Sequence, residues 1–216
     1  MKKMKKLMLL LTTAAILMSS SLNAQDDTRE SLKVGAKIGA NYSNVYDTEG
    51  EEFNADANFG LVLGGFVSIP LGKFISIQPE LLYSQRGFKG TGKMLGFGYD
   101  FTRTTHYIDI PIFVAFKASE NFSILAGPQY SYLIKQSDDF NNPISNFDIE
   151  KEFDNDNIRE NTFCFVGGID VNLENFVFGV RAGLDLFNNN GDGTSTTPRY
   201  KNTWFQLTVG FNLFSK

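Results

Sequence analysis

Residues 58–87, NFGLVLGGFVSIPLGKFISIQPELLYSQRG, constrain the fold more than any other stretch, because they read as two long alternating arms about a tight turn. In the first arm Phe59, Leu61, Leu63, Gly65, Val67 and Ile69 share one face, and Gly60, Val62, Gly64, Phe66 and Ser68 the other. In the second, Ile75, Ile77, Pro79, Leu81 and Tyr83 lie opposite Ser76, Gln78, Glu80, Ser84 and Arg86, with Phe74 and Leu82 as apolar exceptions. One face is apolar and the other carries charge. Strands of soluble proteins usually run about 5–6 residues, whereas a membrane-spanning strand needs about 9–11. The length of both arms therefore favours a bilayer. The alternative is a soluble β-sandwich or lipocalin-like barrel, with the charged face in water and the apolar face in a core.

The N-terminus bears on compartment. Lys2, Lys3, Lys5 and Lys6 precede an apolar run from Leu7 to Met18, and small residues end in Leu22-Asn23-Ala24. This is the pattern of a secretory signal peptide, residues 1–24, cleaved after Ala24. The apolar run is short of the roughly 20 residues that a spanning helix needs. Residues 25–31 then form a polar periplasmic leader, and 32–216 a single domain. Losing four signal lysines and no acid takes the formal net charge from −4 to −8. An acidic chain without a basic stripe is not expected to bind nucleic acid.

Twenty glycines, twenty-one phenylalanines and eight tyrosines accompany one Cys and one His. That mixture suits lipid-facing aromatics around an interior that needs small residues. Zinc sites draw on clusters of Cys and His, which this chain lacks, so no metal or other cofactor is expected. The single Cys164 reads as a small buried side chain.

Taken in order, the chain alternates over eight segments: 32–42, the two arms of 58–87, 104–118, 122–135, 161–173, 176–187 and 201–214. The segments between them at 43–57, 88–103, 136–159 and 188–199 read as long loops, and those near Gly72, Glu120 and Asn175 as short turns. Connections thus alternate long and short along the whole chain. An outer-membrane barrel has an even number of antiparallel strands, short periplasmic turns and longer outer loops. A soluble barrel has no reason to sort loops by side. The expected fold is all-β, an eight-stranded antiparallel up-and-down transmembrane β-barrel.

Val34-Gly35-Ala36-Lys37-Ile38-Gly39-Ala40-Asn41, Gln78-Pro79-Glu80-Leu81, Tyr107-Ile108-Asp109-Ile110-Pro111 and Ala126-Gly127-Pro128 carry a resemblance over nearly the whole mature chain. With them the sequence resembles the PorT-like family of outer-membrane β-barrels, grouped with the general outer membrane protein β-barrel domain. The resemblance implies a Gram-negative outer membrane, with outer-membrane lipid and envelope or secretion-complex proteins as partners. The family's best-known member is linked to a protein-secretion system.

Alternation points Lys37, Glu80, Arg86, Asp109, Lys117, Lys135, Asp170, Arg181 and Asp185 inward. Eight strands leave an interior just wide enough for side chains, so these charges are expected to pair. Lys37, Glu80, Arg86, Asp109, Asp170, Arg181 and Asp185 form the core of this structural network. A narrow ion path is the alternative. Some barrels of this size are lipid-modifying enzymes, and the lone His106, with Asp100, Ser84 and Arg103 as candidate neighbours, is the residue to weigh. No motif surrounds it, and no catalytic residue is assigned. Asp154-Asn155-Asp156-Asn157 resembles part of a calcium loop but lacks its Gly and final Glu, leaving at most weak cation binding. The expectation is a non-enzymatic barrel presenting surface loops, with a small pore as the alternative.

Overall fold

Two residues reverse the chain at Glu174-Asn175, where Glu174 takes the left-handed conformation (φ 52°) that a two-residue hairpin requires. The computed structural model of the protein describes residues 28–46, 54–94, 97–142, 145–151, 159–191 and 200–215. The segment read as a signal peptide and the piece 154–157 lie outside these. A short 3-10 turn, Thr28–Glu30, within the stretch read as leader, precedes nine strands among the described residues. They are β1 (Lys33–Tyr46), β2 (Asn54–Pro70), β3 (Ile75–Met94), β4 (Phe97–Lys117), β5 (Phe122–Asn142), β6 (Ser145–Lys151), β7 (Asn161–Leu173), β8 (Phe176–Asp185) and β9 (Lys201–Ser215). Eight of these close into a ring. Antiparallel pairing runs β1–β2–β3–β4–β5–β7–β8–β9 and returns to β1, from Lys33↔Ser215 to Tyr46↔Lys201. Closure leaves no open edge in the ring, which is what permits strands to cross lipid.

The period of two survives wherever one face is lipid and the other is interior. In β8 exposure and burial alternate at every residue. Outward residues such as Phe59 and Leu213 are 73% and 68% exposed, whereas the inward Arg86 and Arg181 are 1% and 2%. The ten steps from Phe116 to His106 in β4, at about 3.3 Å each and a tilt of about 40°, rise about 25 Å, the height of a lipid-facing band. Aromatics mark both rims: Tyr42 packs on Phe59 and Tyr130 on Phe163 at one, and Phe176 on Phe211 at the other.

Three of the segments read as loops are largely strand. The hairpin of β3 and β4 continues past Phe88 and Arg103 to the pair Met94↔Phe97, and β2 begins at Asn54. β5 runs on to Asn142, where β6 pairs back along it from Gln136↔Lys151 to Asn142↔Ser145, beyond the stretch of β5 that β7 occupies. These extensions stand beyond the lipid-facing band. No lipid meets their outer face, so outward apolar alternation is not required there, while inward residues next to the rim such as Phe88 and Asp138 stay buried.

Among the described residues three bulges interrupt the ladders, one of them between Val34 and Gly35 where β1 pairs β9. His106 pairs with Lys135 but Tyr107 pairs with Leu133, so Ile134 is an extra residue in β5. In β2 the shift between Ala57 and Val62 sets five steps against four on β3. Lys135 was expected inward. The Ile134 bulge turns it outward, opposite His106.

Candidate functional site

Inward side chains stack in tiers from the turn end to the loop end. At the turn end Lys117 donates to the Arg29 carbonyl at 2.5 Å, tying the 3-10 turn across the mouth. Beside it lies a cavity of about 20 Å³, room for one water, lined among others by Lys33, Ser76, Lys117, Glu120, Ser123 and Asn172.

The next tier is a chain of charges. Lys37 Nζ donates to Glu80 Oε1 at 2.7 Å, and Gln78 Nε2 bridges Glu80 at 2.9 Å and Asp170 at 3.4 Å. Arg181 Nη2 stands 2.7 Å from Asp170 Oδ1 and 3.9 Å from Glu80 Oε1. The 2.7 Å contact is an ion pair whose angle falls outside hydrogen-bond geometry, and Arg181 Nη1 instead donates to the Ile169 carbonyl at 2.8 Å. Phe66 and Phe113 cover the cations, with Lys37 Nζ 5.1 Å and the Arg181 guanidinium 5.3 Å from their ring centroids.

Arg86 occupies the middle. Its Nη2 donates to Asp109 Oδ2 at 2.5 Å and to Ser131 at 3.3 Å, and Asp185 Oδ1 lies 4.0 Å from its Nη1. Asp185 is held separately: Cys164 Sγ donates at 3.1 Å, and the Asn202 backbone and side-chain amides donate at 3.0 and 2.7 Å. Trp204 and Tyr107 flank the guanidinium at 3.7 and 4.7 Å. Trp204, Arg86, Arg181, Tyr107 and Phe113 are the largest fully buried side chains, and they fill the cross-section.

At the loop end Arg103 makes a two-pronged pair with Asp138, both bonds 2.7 Å, and donates to the Tyr200 hydroxyl at 3.0 Å. Burial pushes the Tyr200 phenol above its ordinary range, against the pull of Arg103. Phe88, Val45 and Tyr200 form an apolar cluster over this pair, joined by Phe101 and Ala55.

Residues 23–191 match the family described as outer membrane protein beta-barrel domain. The chain belongs to this family. Neisserial surface protein A resembles it at 8% identity and a TM-score of 0.50, over 83% of this chain and 97% of that one. Ail, the attachment invasion locus protein of Yersinia pestis, solved with the heparin analogue sucrose octasulfate, resembles it at 14% identity and a TM-score of 0.47, over 84% and 98%. The outer membrane protein OprG from Pseudomonas aeruginosa shares 11% identity with a TM-score of 0.38, over 84% and 95%. At 8% identity the likeness to Neisserial surface protein A is one of fold. No curated protein matches the chain.

As an outer-membrane barrel the chain resides in the outer membrane, and its exposed apolar belt faces lipid. The structure brings Lys37, Glu80, Asp170 and Arg181 together in one tier and Arg86, Asp109 and Asp185 in the next. Lys117 is buried but bonds the backbone, and Lys135 leaves the interior altogether. His106 points to the lipid side, where the Tyr83 hydroxyl meets its Nδ1 at 2.6 Å, while Ser84 and Arg103 face inward. Cys164 is fully buried between Asp185 and Ser131. Among the described residues no group of three or more His, Cys, Asp or Glu is arranged to hold a metal. Sequence reasoning overlooked the neutral members of the network, Gln78, Asn202 and Trp204, and the Arg103–Asp138 pair. The inward register of Gln78, Asn202 and Trp204 was the available signal; Arg103 and Asp138 lay in segments read as loops.

Proposed function

We propose that this barrel is a closed, non-enzymatic anchor that presents its loop-end strands to envelope or secretion-complex proteins. One observation carries the reading: the Arg86 tier spans the lumen, with Asp109 and Ser131 on one side of the guanidinium and Trp204 against its plane. A barrel whose cross-section is filled by paired charges and aromatic rings has no water column to conduct through. What then distinguishes this chain is the length of β3, β4 and β5, 20 or 21 residues each, about twice what the membrane requires. The PorT-like resemblance supports a secretion-associated partner for that wall. The engagement of His106 by Tyr83 on the lipid face, across the sheet from Ser84, supports a non-catalytic role.

The polar turn-end mouth around Lys33 and Lys117 favours a second reading, a small pore whose charged tiers rearrange. Planar-bilayer recording of the refolded protein separates the two. The anchor predicts no reproducible unit steps in the wild type. Steady single-channel steps of one size overturn it and promote the pore.

A further inference from the structure

The lipid-facing surface carries a polar row that the interior network does not use. Strand pairing sets Gln85 beside His106 and His106 beside Lys135, directly above the row Tyr83, Ile108 and Tyr132. This is the loop-end rim of the apolar band. Polar side chains facing lipid are costly at mid-bilayer and tolerable only near an interface. Here four of them converge: Tyr83, Gln85, His106 and Lys135.

Two of the three bulges serve this row. Without the extra residue Ile134, alternation from Leu133 would aim Lys135 into the barrel; with it, Lys135 emerges next to His106. In β2 the shift takes Leu61 out of the ladder with β3, and Gln85 Oε1 accepts the Leu61 N–H at 3.0 Å.

The donor order follows atom by atom. With its oxygen on Leu61, Gln85 turns Nε2 toward the Tyr83 hydroxyl, donating at 3.2 Å. Gln85 Nε2 also lies 3.4 Å from His106 Nδ1, and since an amide N–H can only donate, Nδ1 accepts and the Tyr83 hydroxyl 2.6 Å away donates to it. His106 Nδ1 is then the acceptor nitrogen, and the ring proton of the neutral imidazole sits on Nε2. The network thus fixes the ring and leaves an oriented N–H donor beside the Lys135 ammonium. A fixed donor and a cation at the headgroup level are the complement of an anionic, oxygen-rich group.

We infer that Tyr83, Gln85, His106 and Lys135 form a binding site for the phosphate of a membrane lipid. His106 Nε2 and Lys135 Nζ contact the phosphate oxygens, while Tyr83 and Gln85 position the ring. With the short turns in the periplasm the rim lies in the outer leaflet, so the lipid is lipid A. The site stands apart from the lumen and does not depend on whether the barrel conducts.

Native mass spectrometry of the detergent-solubilised protein tests this, with lipid A, phosphatase-treated lipid A and inorganic phosphate as separate probes. The wild type is expected to retain lipid A and to lose that preference for the dephosphorylated form. Lys135→Ala and His106→Phe are each expected to weaken retention by about tenfold or more, since a hydrogen bond to a charged group is worth about a decade in affinity. Lys89→Ala, at an exposed lysine outside the row, is expected to retain lipid A as the wild type does. A heat-shifted gel band identifies folded barrels, and only these are compared. Equal retention of dephosphorylated lipid A, or full retention by both folded variants, overturns the site. Tight binding of inorganic phosphate in preference to lipid A overturns the lipid as its ligand.

Discussion

The Arg86 guanidinium carbon sits 3.7 Å from the centroid of the Trp204 ring, and the same guanidinium bonds Asp109 from its edge. Arg86 is thus fixed in plane by a carboxylate and out of plane by an indole. Trp204 is the chain's single tryptophan, so its emission reports on this tier alone. Arg86→Ala is expected to shift that emission and to lower unfolding stability by about 3–5 kcal/mol, because two buried carboxylates lose their cation. Denaturant titration followed at the tryptophan wavelength checks both at once, and an unchanged midpoint refutes the account.

The lower tier behaves differently on its two sides. Arg181 joins Asp170 and Glu80 inside, whereas its neighbour Val180 faces lipid. Arg181→Ala is expected to cost about 3–5 kcal/mol, the usual loss when one partner of a buried pair is removed. Val180→Ala removes two methyl groups from a lipid contact and is expected to lower the midpoint far less. Comparable losses for the two variants, measured in the same detergent and denaturant series, would contradict the assignment of faces.

Gly183 pairs with Trp204 across β8 and β9, and the indole lies over it. A Cβ at Gly183 would stand 2.3 Å from the Trp204 ring. The ring is rigid and fully buried, with Arg86 on its plane, so it has no free direction in which to yield. Gly183→Ala is expected to destabilise by about 1–3 kcal/mol, the usual range for overpacking, and to shift the tryptophan emission, as Arg86→Ala is expected to do. Gly167→Ala, whose Cβ would find its nearest neighbour at 3.7 Å, serves as the comparison and is expected to change neither.

The lipid-crossing halves of the strands were legible in the sequence because two solvents impose the pattern. Ile108, Ile110, Ile112, Val114 and Phe116 must meet lipid while Tyr107, Asp109 and Phe113 meet the interior. Beyond the rims that pressure ends, so the β3–β4 extension, with its glycines and charges, read as loop although it pairs to Met94↔Phe97. A bulge leaves no compositional trace: nothing about Ile134 distinguishes it from its neighbours, yet it decides where Lys135 points. The charges that would line the lumen were legible from parity alone, with Lys135 the exception. Which charge meets which was not, since Arg181 and Glu80 lie far apart in the chain and meet only through the closure of the ring.

The orientation of the wall is the last expectation, and Cys164 makes it easy to measure. That thiol is fully buried and bonded to Asp185, so a membrane-impermeant maleimide has no target in the parent protein. Lys89 is exposed on the β3 extension, and Lys73 is exposed in the short turn between β2 and β3. Barrels of this kind keep short turns in the periplasm and send longer connections outward. Lys89→Cys is therefore expected to label on intact cells, and Lys73→Cys only after the outer membrane is permeabilised. The two substitutions touch neither the charged tiers nor the lipid band, so a heat-shifted gel band should be unaffected in both. The opposite labelling pattern would place the extended wall and β6 in the periplasm, and with them any partner it recruits.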